Sequence, residues 1–150
     1  MSDAVRAIED RFAIEAVLVR YARACDTRDW QLFEDVFDPD VNLNYGGLYQ
    51  LKGIEGFLEM VRGMLGGCGP TLHTLSNFTI NLDGDRATSS CFVRAIHAGL
   101  GSEADTYYEV WAEYRDTLRR CDSGWRVTTR HMQVLKEVGS RDILRPAQSG

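Results

Sequence analysis

The sequence predicts an α+β fold, with helices first and an antiparallel sheet after them. Apolar residues recur at helical spacing up to about residue 67. After Pro70 the chain turns to long runs rich in Thr, Val, Tyr, Phe and Trp, parted by "DGD", "GLGSE" and "DSG" turns. Helical and strand-like patterns are therefore segregated along the chain, which is the α+β signature. The 150 residues, 44% hydrophobic and 26% charged, suffice for one core that buries roughly 70% of the unfolded surface. No repeat or linker is present, so one domain over 1–150 is expected, with a core over about 5–136 and a tail over 137–150.

Val5, Ile8, Phe12, Val17, Leu18, Tyr21 and Cys25 mark a long first helix capped by Ser2 or Asp3. It should break near Asp26 to Arg28, because Asp29 is a good N-cap for a short helix carrying Leu32, Phe33 and Val36. "DPD" at 38–40 stops that helix, and "VNLNY" at 41–45 reads as a short strand. "GIEGFLEMVRGMLGG" reads as a further helix closed by Gly66 and Gly67. Strands are expected over 71–82, 86–98, 105–118 and 125–136, joined as a meander. A strongly curved sheet wrapped on the N-terminal helices would leave a pocket open at one end.

Several function classes are excluded by composition. The net charge is −5 and basic residues are scattered, which argues against nucleic acid as a partner. Cys25, Cys68, Cys91 and Cys121 form no CxxC pair or close Cys/His cluster, so no metal site is expected. There is no apolar leader and no stretch approaching 18 apolar residues, so a cytoplasmic protein with no membrane partner is expected. "NFT" at 77–79 fits a glycosylation sequon by chance alone. Neither "SNFTI" nor "TSSCF" has the elbow of a serine nucleophile, and no nucleotide, flavin or phosphate fingerprint appears. No cofactor is expected.

The three histidines all fall in predicted strands. His73 shares parity with Leu75, while Phe78, Ile80 and Leu82 have the opposite parity, so a bulge is expected between them. His97 shares its face with Ala87, Cys91, Val93 and Ala95 and points inward; His131 shares parity with Trp125, Val127 and Leu135. An inward histidine is more often a hydrogen-bonded core residue than a site. A carboxylate against one of its nitrogens changes that, by fixing the tautomer and stabilising the imidazolium. Asp26, placed unfavourably at a helix C-terminus, is the candidate carboxylate. Tyr45 can donate a hydrogen bond inward, and Tyr107, Tyr108, Trp111 and Tyr114 are candidates for an aromatic lining that core packing explains equally well.

"RYARACDTRDWQLFEDVFDPDV", a glycine-opened helix, "HTLSNFTINLDGDRAT" and "GWRVTTR", in that order, resemble the SnoaL-like branch of the nuclear transport factor 2-like superfamily over about residues 5–136. The resemblance implies a cone-shaped α+β barrel with a deep pocket beside the first helix. Its functional analogy is to the scytalone dehydratases, with the hexachlorocyclohexane dehydrochlorinases as relatives. These remove a proton with a His–Asp pair and expel a leaving group without metal. Matched motif by motif, Asp26 of "ACDTRDW" takes the role of the dyad aspartate and His73 of "LHTLSN" that of the base. His97 of "VRAIH" falls on a second pocket histidine, and Tyr45 of "NLNYGG" on a pocket tyrosine that holds a water against a carbonyl. Cys25 stands where the dehydratases carry a second tyrosine, which puts their substrate in doubt; Tyr21, one turn earlier, is the candidate substitute.

The expected function is thus a cofactor-independent lyase of dehydratase type. It would act on a small aromatic or polycyclic hydroxylated molecule, with His73, Asp26, His97 and Tyr45 catalytic and Tyr21, Cys25, Tyr107 and Trp111 at the substrate. An isomerase or cyclase of the same fold would use the same residues and return the proton. A ligand-binding module or dioxygenase small subunit would need no Asp–His pair. The superfamily's habit of pairing through the open sheet face adds the expectation of a homodimer or trimer.

Overall fold

The computed structural model describes residues 2–149. It opens with α1 (Asp3–Thr27), whose first turn is capped by Ser2 Oγ accepting from Val5 N at 3.3 Å. Ile14, Val17, Leu18, Tyr21, Ala24 and Cys25 form its buried stripe, at the spacing that keeps one helical face inward. Val5, Ile8 and Phe12, expected on that face, stay exposed; the buried stripe starts only at Asp10. Asp10 is held there by the two terminal guanidinium nitrogens of Arg120, each at 2.7 Å, and by Trp125 Nε1 at 3.2 Å. α1 ends where Arg28 takes a left-handed conformation (φ 58°). Asp29 then caps a 3₁₀ turn over Trp30–Asp35 by accepting from Leu32 N.

The strand after it is longer than the sequence suggests. β1 (Phe37–Tyr45) includes Asp38, Pro39 and Asp40 instead of following them. Pro39 falls where the pairing register shifts between Phe37 and Asn42, a place where a residue without an N–H costs no ladder bond. β2 (Tyr49–Lys52) then forms a short hairpin with β1, an element the sequence pattern left out. α2 (Ile54–Leu65) buries Phe57, Leu58, Val61 and Leu65. Gly66 and Gly67 do not close it by a left-handed cap, since Gly66 has φ −58°. They are small because the C-terminal segment crosses here: a Cβ on Gly67 would lie 2.3 Å from the Pro146 carbonyl oxygen.

Four long strands complete the fold: β3 (Thr71–Asp83), β4 (Arg86–Ala98), β5 (Tyr107–Cys121) and β6 (Gly124–Gly139). They form the expected antiparallel meander, and β1 docks parallel to β6, giving the order β2-β1-β6-β5-β4-β3. β2 and β3 are free edges, so the sheet curves around α1 as an open cone and does not close. Bulges supply the bend. One lies at the predicted place, between Ser76 and Thr79, with Asn77 at φ 56°. Others interrupt the β5–β6 pairing at Trp111/Ala112 and Thr117/Leu118. The concave face packs on α1, α2 and an aromatic cluster of Tyr21, Phe33, Phe37 and Phe57, whose edge-to-face pairs lie 4.8–5.8 Å apart. Each such pair contributes about 1 kcal/mol beyond its burial.

Candidate active site

Helix geometry carries Asp26 to the last turn of α1, one residue past the buried Cys25, so its carboxylate reaches sideways to β3. On β3, Thr71, His73 and Leu75 share the face turned to α1. Asp26 Oδ1 accepts from His73 Nδ1 at 2.7 Å and from Thr71 Oγ1 at 2.9 Å. Its Oδ2 accepts from the His73 backbone N–H at 2.9 Å. Burial works to raise the Asp26 pKa, but the His73 ring, the His73 backbone and Thr71 outweigh it and hold the carboxyl below its usual range. An ionised carboxylate only accepts, so the neutral His73 ring carries its proton on Nδ1 and leaves the Nε2 lone pair free.

His97 is the neighbour. It pairs across the ladder with Thr71, and its ring meets that of His73 edge-on, with centroids 5.3 Å apart. Only 4% of it is exposed. Its Nδ1 lies 3.1 Å from the Tyr108 carbonyl oxygen, which can only accept, so this imidazole too carries its proton on Nδ1. Burial, with the His73 ring as the next cause, pushes its pKa down to about 4. At neutral pH His97 is an uncharged acceptor.

A second polar group fills the cone one helical turn back along α1. Tyr45 donates to the Tyr21 hydroxyl at 3.0 Å. The Arg130 guanidinium lies 4.3 Å from the Tyr21 ring centre and 4.1 Å from that of Tyr114, and Asp116 holds it by two bonds of 2.8 and 2.7 Å. Burial opposes the charge of Arg130, but Asp116 keeps it firmly protonated. Burial also raises the pKa of Tyr45 and pushes the Cys25 and Cys91 thiols up to about 12, so all three are neutral. Among the described residues, Arg130 Nη1 has no hydrogen-bond partner.

The structure thus brings Asp26, His73 and His97 into one cluster and Tyr21 and Tyr45 into a second, with Cys25 buried on α1 between Tyr21 and Asp26. Tyr107 and Trp111 are not among them. Both sit on the outer face of β5, 46% and 43% exposed, because Tyr108, Val110, Ala112 and Tyr114 take the inward parity. His131 is exposed as well: the bulge opposite Thr117 and Leu118 reverses the parity of β6 after Val127, so Arg130 turns inward in its place. Thr71, Arg130 and Asp116 were not singled out from sequence. Thr71 was findable, lying two residues before His73 on the same face; Arg130 was hidden by the bulge. Among the described residues no group of three His, Cys, Asp or Glu side chains is placed to hold a metal, and no helix is long and apolar enough to cross a membrane.

This order of elements, with the matching sequence motifs, fits a known family: the SnoaL-like domain matches residues 6–131. The chain belongs to the SnoaL-like family. An uncharacterized protein of Mycobacterium tuberculosis is 33% identical over 132 residues, covering 84% of this chain and 86% of that one. Among solved structures, a Novosphingobium aromaticivorans protein provisionally named an aromatic ring hydroxylase is 29% identical, covers 91% of this chain and 96% of its own, and superposes with a TM-score of 0.82. A second protein of that organism, provisionally named a scytalone dehydratase, is 19% identical, covers 97% of both chains and gives a TM-score of 0.80. At that identity the second likeness is one of fold. The SnoaL-like chain described here therefore shares its α+β cone with both.

Proposed function

We propose that this protein is a cofactor-independent lyase of dehydratase type, a single-domain enzyme acting on a small aromatic or polycyclic hydroxylated molecule. One observation carries the proposal: the 2.7 Å bond between Asp26 and His73 Nδ1, which leaves Nε2 as a free base. Nε2 takes a proton from a carbon next to a carbonyl or an activating ring. The C–H pair becomes the new double bond, the C–O bond breaks, and the hydroxyl leaves as water with a proton returned from the His73 imidazolium. Asp26 stabilises that imidazolium while it is charged. The paired Tyr45 and Tyr21 hydroxyls polarise the substrate carbonyl, so that Tyr21 stands in for the tyrosine replaced by Cys25. His97, an acceptor at its free nitrogen, orients the departing hydroxyl. The aromatic ring in the name of the Novosphingobium protein supports the same substrate class, as do the inward rings of Tyr21, Tyr45, Tyr108 and Tyr114.

The test is turnover of a panel of hydroxylated aromatics and polycyclic ketones, followed by mass spectrometry. Elimination loses the mass of one water; an isomerase leaves the mass unchanged and would replace the lyase reading. His73→Ala should lower turnover by about a hundred- to ten-thousandfold, and an undiminished variant would sink the dyad. A homo-oligomer is part of the same proposal, and light scattering at the monomer mass of 16.9 kDa would remove it.

A further inference from the structure

Arg28 stands where a helix end favours glycine. It holds φ 58° at the end of α1, a conformation a side chain makes costly, and the chain keeps an arginine there. Its guanidinium accounts for the choice. Nε donates to the Leu65 carbonyl at 2.9 Å, and Nη2 to the Gly69 carbonyl at 2.9 Å. Nη1 donates to the Cys25 carbonyl at 2.5 Å and to Thr71 Oγ1 at 2.8 Å. Cys25 and Leu65 belong to the last turns of α1 and α2, so one side chain satisfies carbonyls at two helix ends and binds both to the start of β3.

The bond to Thr71 has a chemical consequence. A hydroxyl has one proton, and a guanidinium can only donate. With Arg28 donating to its lone pair, the Thr71 proton is aimed at Asp26 Oδ1, 2.9 Å away. Oδ1 is also the atom that takes His73 Nδ1. We infer that Arg28, acting through Thr71, is a positioning residue that fixes the orientation of the Asp26 carboxylate, so that Oδ1 stays facing His73 Nδ1 and holds the ring in its Nδ1–H form. The inference rests on the dyad proposed above and extends it by two residues. Arg28 and Thr71 touch no reacting atom; they decide which nitrogen of the base is bare.

The full-length protein, labelled with ¹⁵N and ¹³C, tests this by NMR without a substrate. The ring nitrogens of His73 report the tautomer, and a ¹³C titration of the Asp26 carboxyl reports its hydrogen bonds. Thr71→Val removes the hydroxyl at constant shape, and Thr71→Ser restores it. Arg28→Gly removes the guanidinium while suiting the left-handed backbone. In the unaltered protein Nδ1 should be protonated and Nε2 bare. In Thr71→Val and Arg28→Gly the Asp26 carboxylate is free to turn away from Nδ1, so the ring should become a mixture of tautomers, and the Asp26 carboxyl should titrate higher as hydrogen bonds to its charged form are lost or loosened. Thr71→Ser should match the unaltered protein. An unaltered His73 pattern in Thr71→Val overturns the inference, and if Arg28→Gly does not fold, the Thr71 pair alone decides. A proton on Nε2 in the unaltered protein would sink the dyad itself along with it. The expected NMR changes in a protein that eliminates no water would leave the positioning intact and remove only the lyase.

Discussion

Lowering the pH from 7 to 5 should cost this protein about 2 kcal/mol of stability through one side chain, His97. In the fold its pKa is pushed from 6.5 down to about 4, mainly by burial, with the His73 ring and then Arg28 adding to the effect, while the Tyr108 carbonyl and Asp26 oppose it. Below pH 6.5 the unfolded chain therefore takes up a proton that the folded chain refuses until about pH 4. Stability is full above 6.5 and declines as the pH falls through that window. Over the whole window the loss is about 3–4 kcal/mol, and a little over half of it falls between pH 7 and 5. Asp10, Asp26, Glu109 and Glu137 have pKa values lowered by their partners, so their stabilisation begins to be lost only as the pH falls toward their ordinary values of 3.8 and 4.5, at the lower end of this window, and the span from pH 7 to 5 is left mainly to His97. The assay is urea unfolding followed by tryptophan fluorescence at half-unit pH steps, for the unaltered protein and for His97→Gln. Packing changes in the variant alter the level of its curve but not its slope. The same slope in both proteins, or a change under about 0.5 kcal/mol in the unaltered one, would refute a buried neutral His97.

The other expectations concern packing and charge. Asp116→Ala should cost about 3–5 kcal/mol, because it strands the Arg130 charge in a site where neither side chain is more than 1% exposed. The double replacement Asp116→Leu with Arg130→Met should recover most of that, and urea unfolding of both variants decides; a loss under 1 kcal/mol in the single variant would contradict the pair's burial. Gly67→Ala should cost about 1–3 kcal/mol, since its Cβ would meet Pro146 O at 2.3 Å and Arg145 Cγ at 2.7 Å. Melting temperature and the rate of proteolytic clipping after Ile143 should both show the C-terminal segment lifting, and an unchanged clipping rate would place the strain elsewhere.

What the chain discloses before folding follows from the range of each signal. The later part of the α1 stripe, Val17–Leu18–Tyr21–Cys25, and the alternation Cys91–Val93–Ala95–His97 are local periodicities that survive in the structure, whereas Val5, Ile8 and Phe12 at the start of the stripe stay exposed. The turn after Asp83 and the break at Arg28 are equally local. β2 is not: "YQLK" has four residues and becomes a strand only because Asn42–Tyr45 offer it an edge. The parallel docking of β1 on β6 joins segments more than eighty residues apart, and no pattern within either announces it. Trp111 and Tyr107 belong to an aromatic strand, and composition alone suggests them for a lining. The parity of Tyr108 and Tyr114 separates them, because a strand cannot turn neighbours to one face.

The bulges set the deeper limit. A single extra residue in β6 exchanges the faces of the stretch from there to the second bulge at Leu135, so Arg130 enters the cone and His131 leaves it. Nothing in "WRVTTRHMQ" marks where the extra residue falls, since Thr128 and Thr129 suit a strand equally well. The constraint comes from the sheet as a whole: it must bend to wrap α1, and the extra residue in β6 lets it do so. Asp116 is the one acidic residue on the inward face of β5, and it makes the exchange affordable by giving Arg130 a bidentate partner within the cone. Curvature, bulge and buried ion pair are thus one structural decision. A shape that wraps a sheet around a helix end, and so brings His73 to Asp26, also draws a cation into the cone beside Tyr21 and Tyr114.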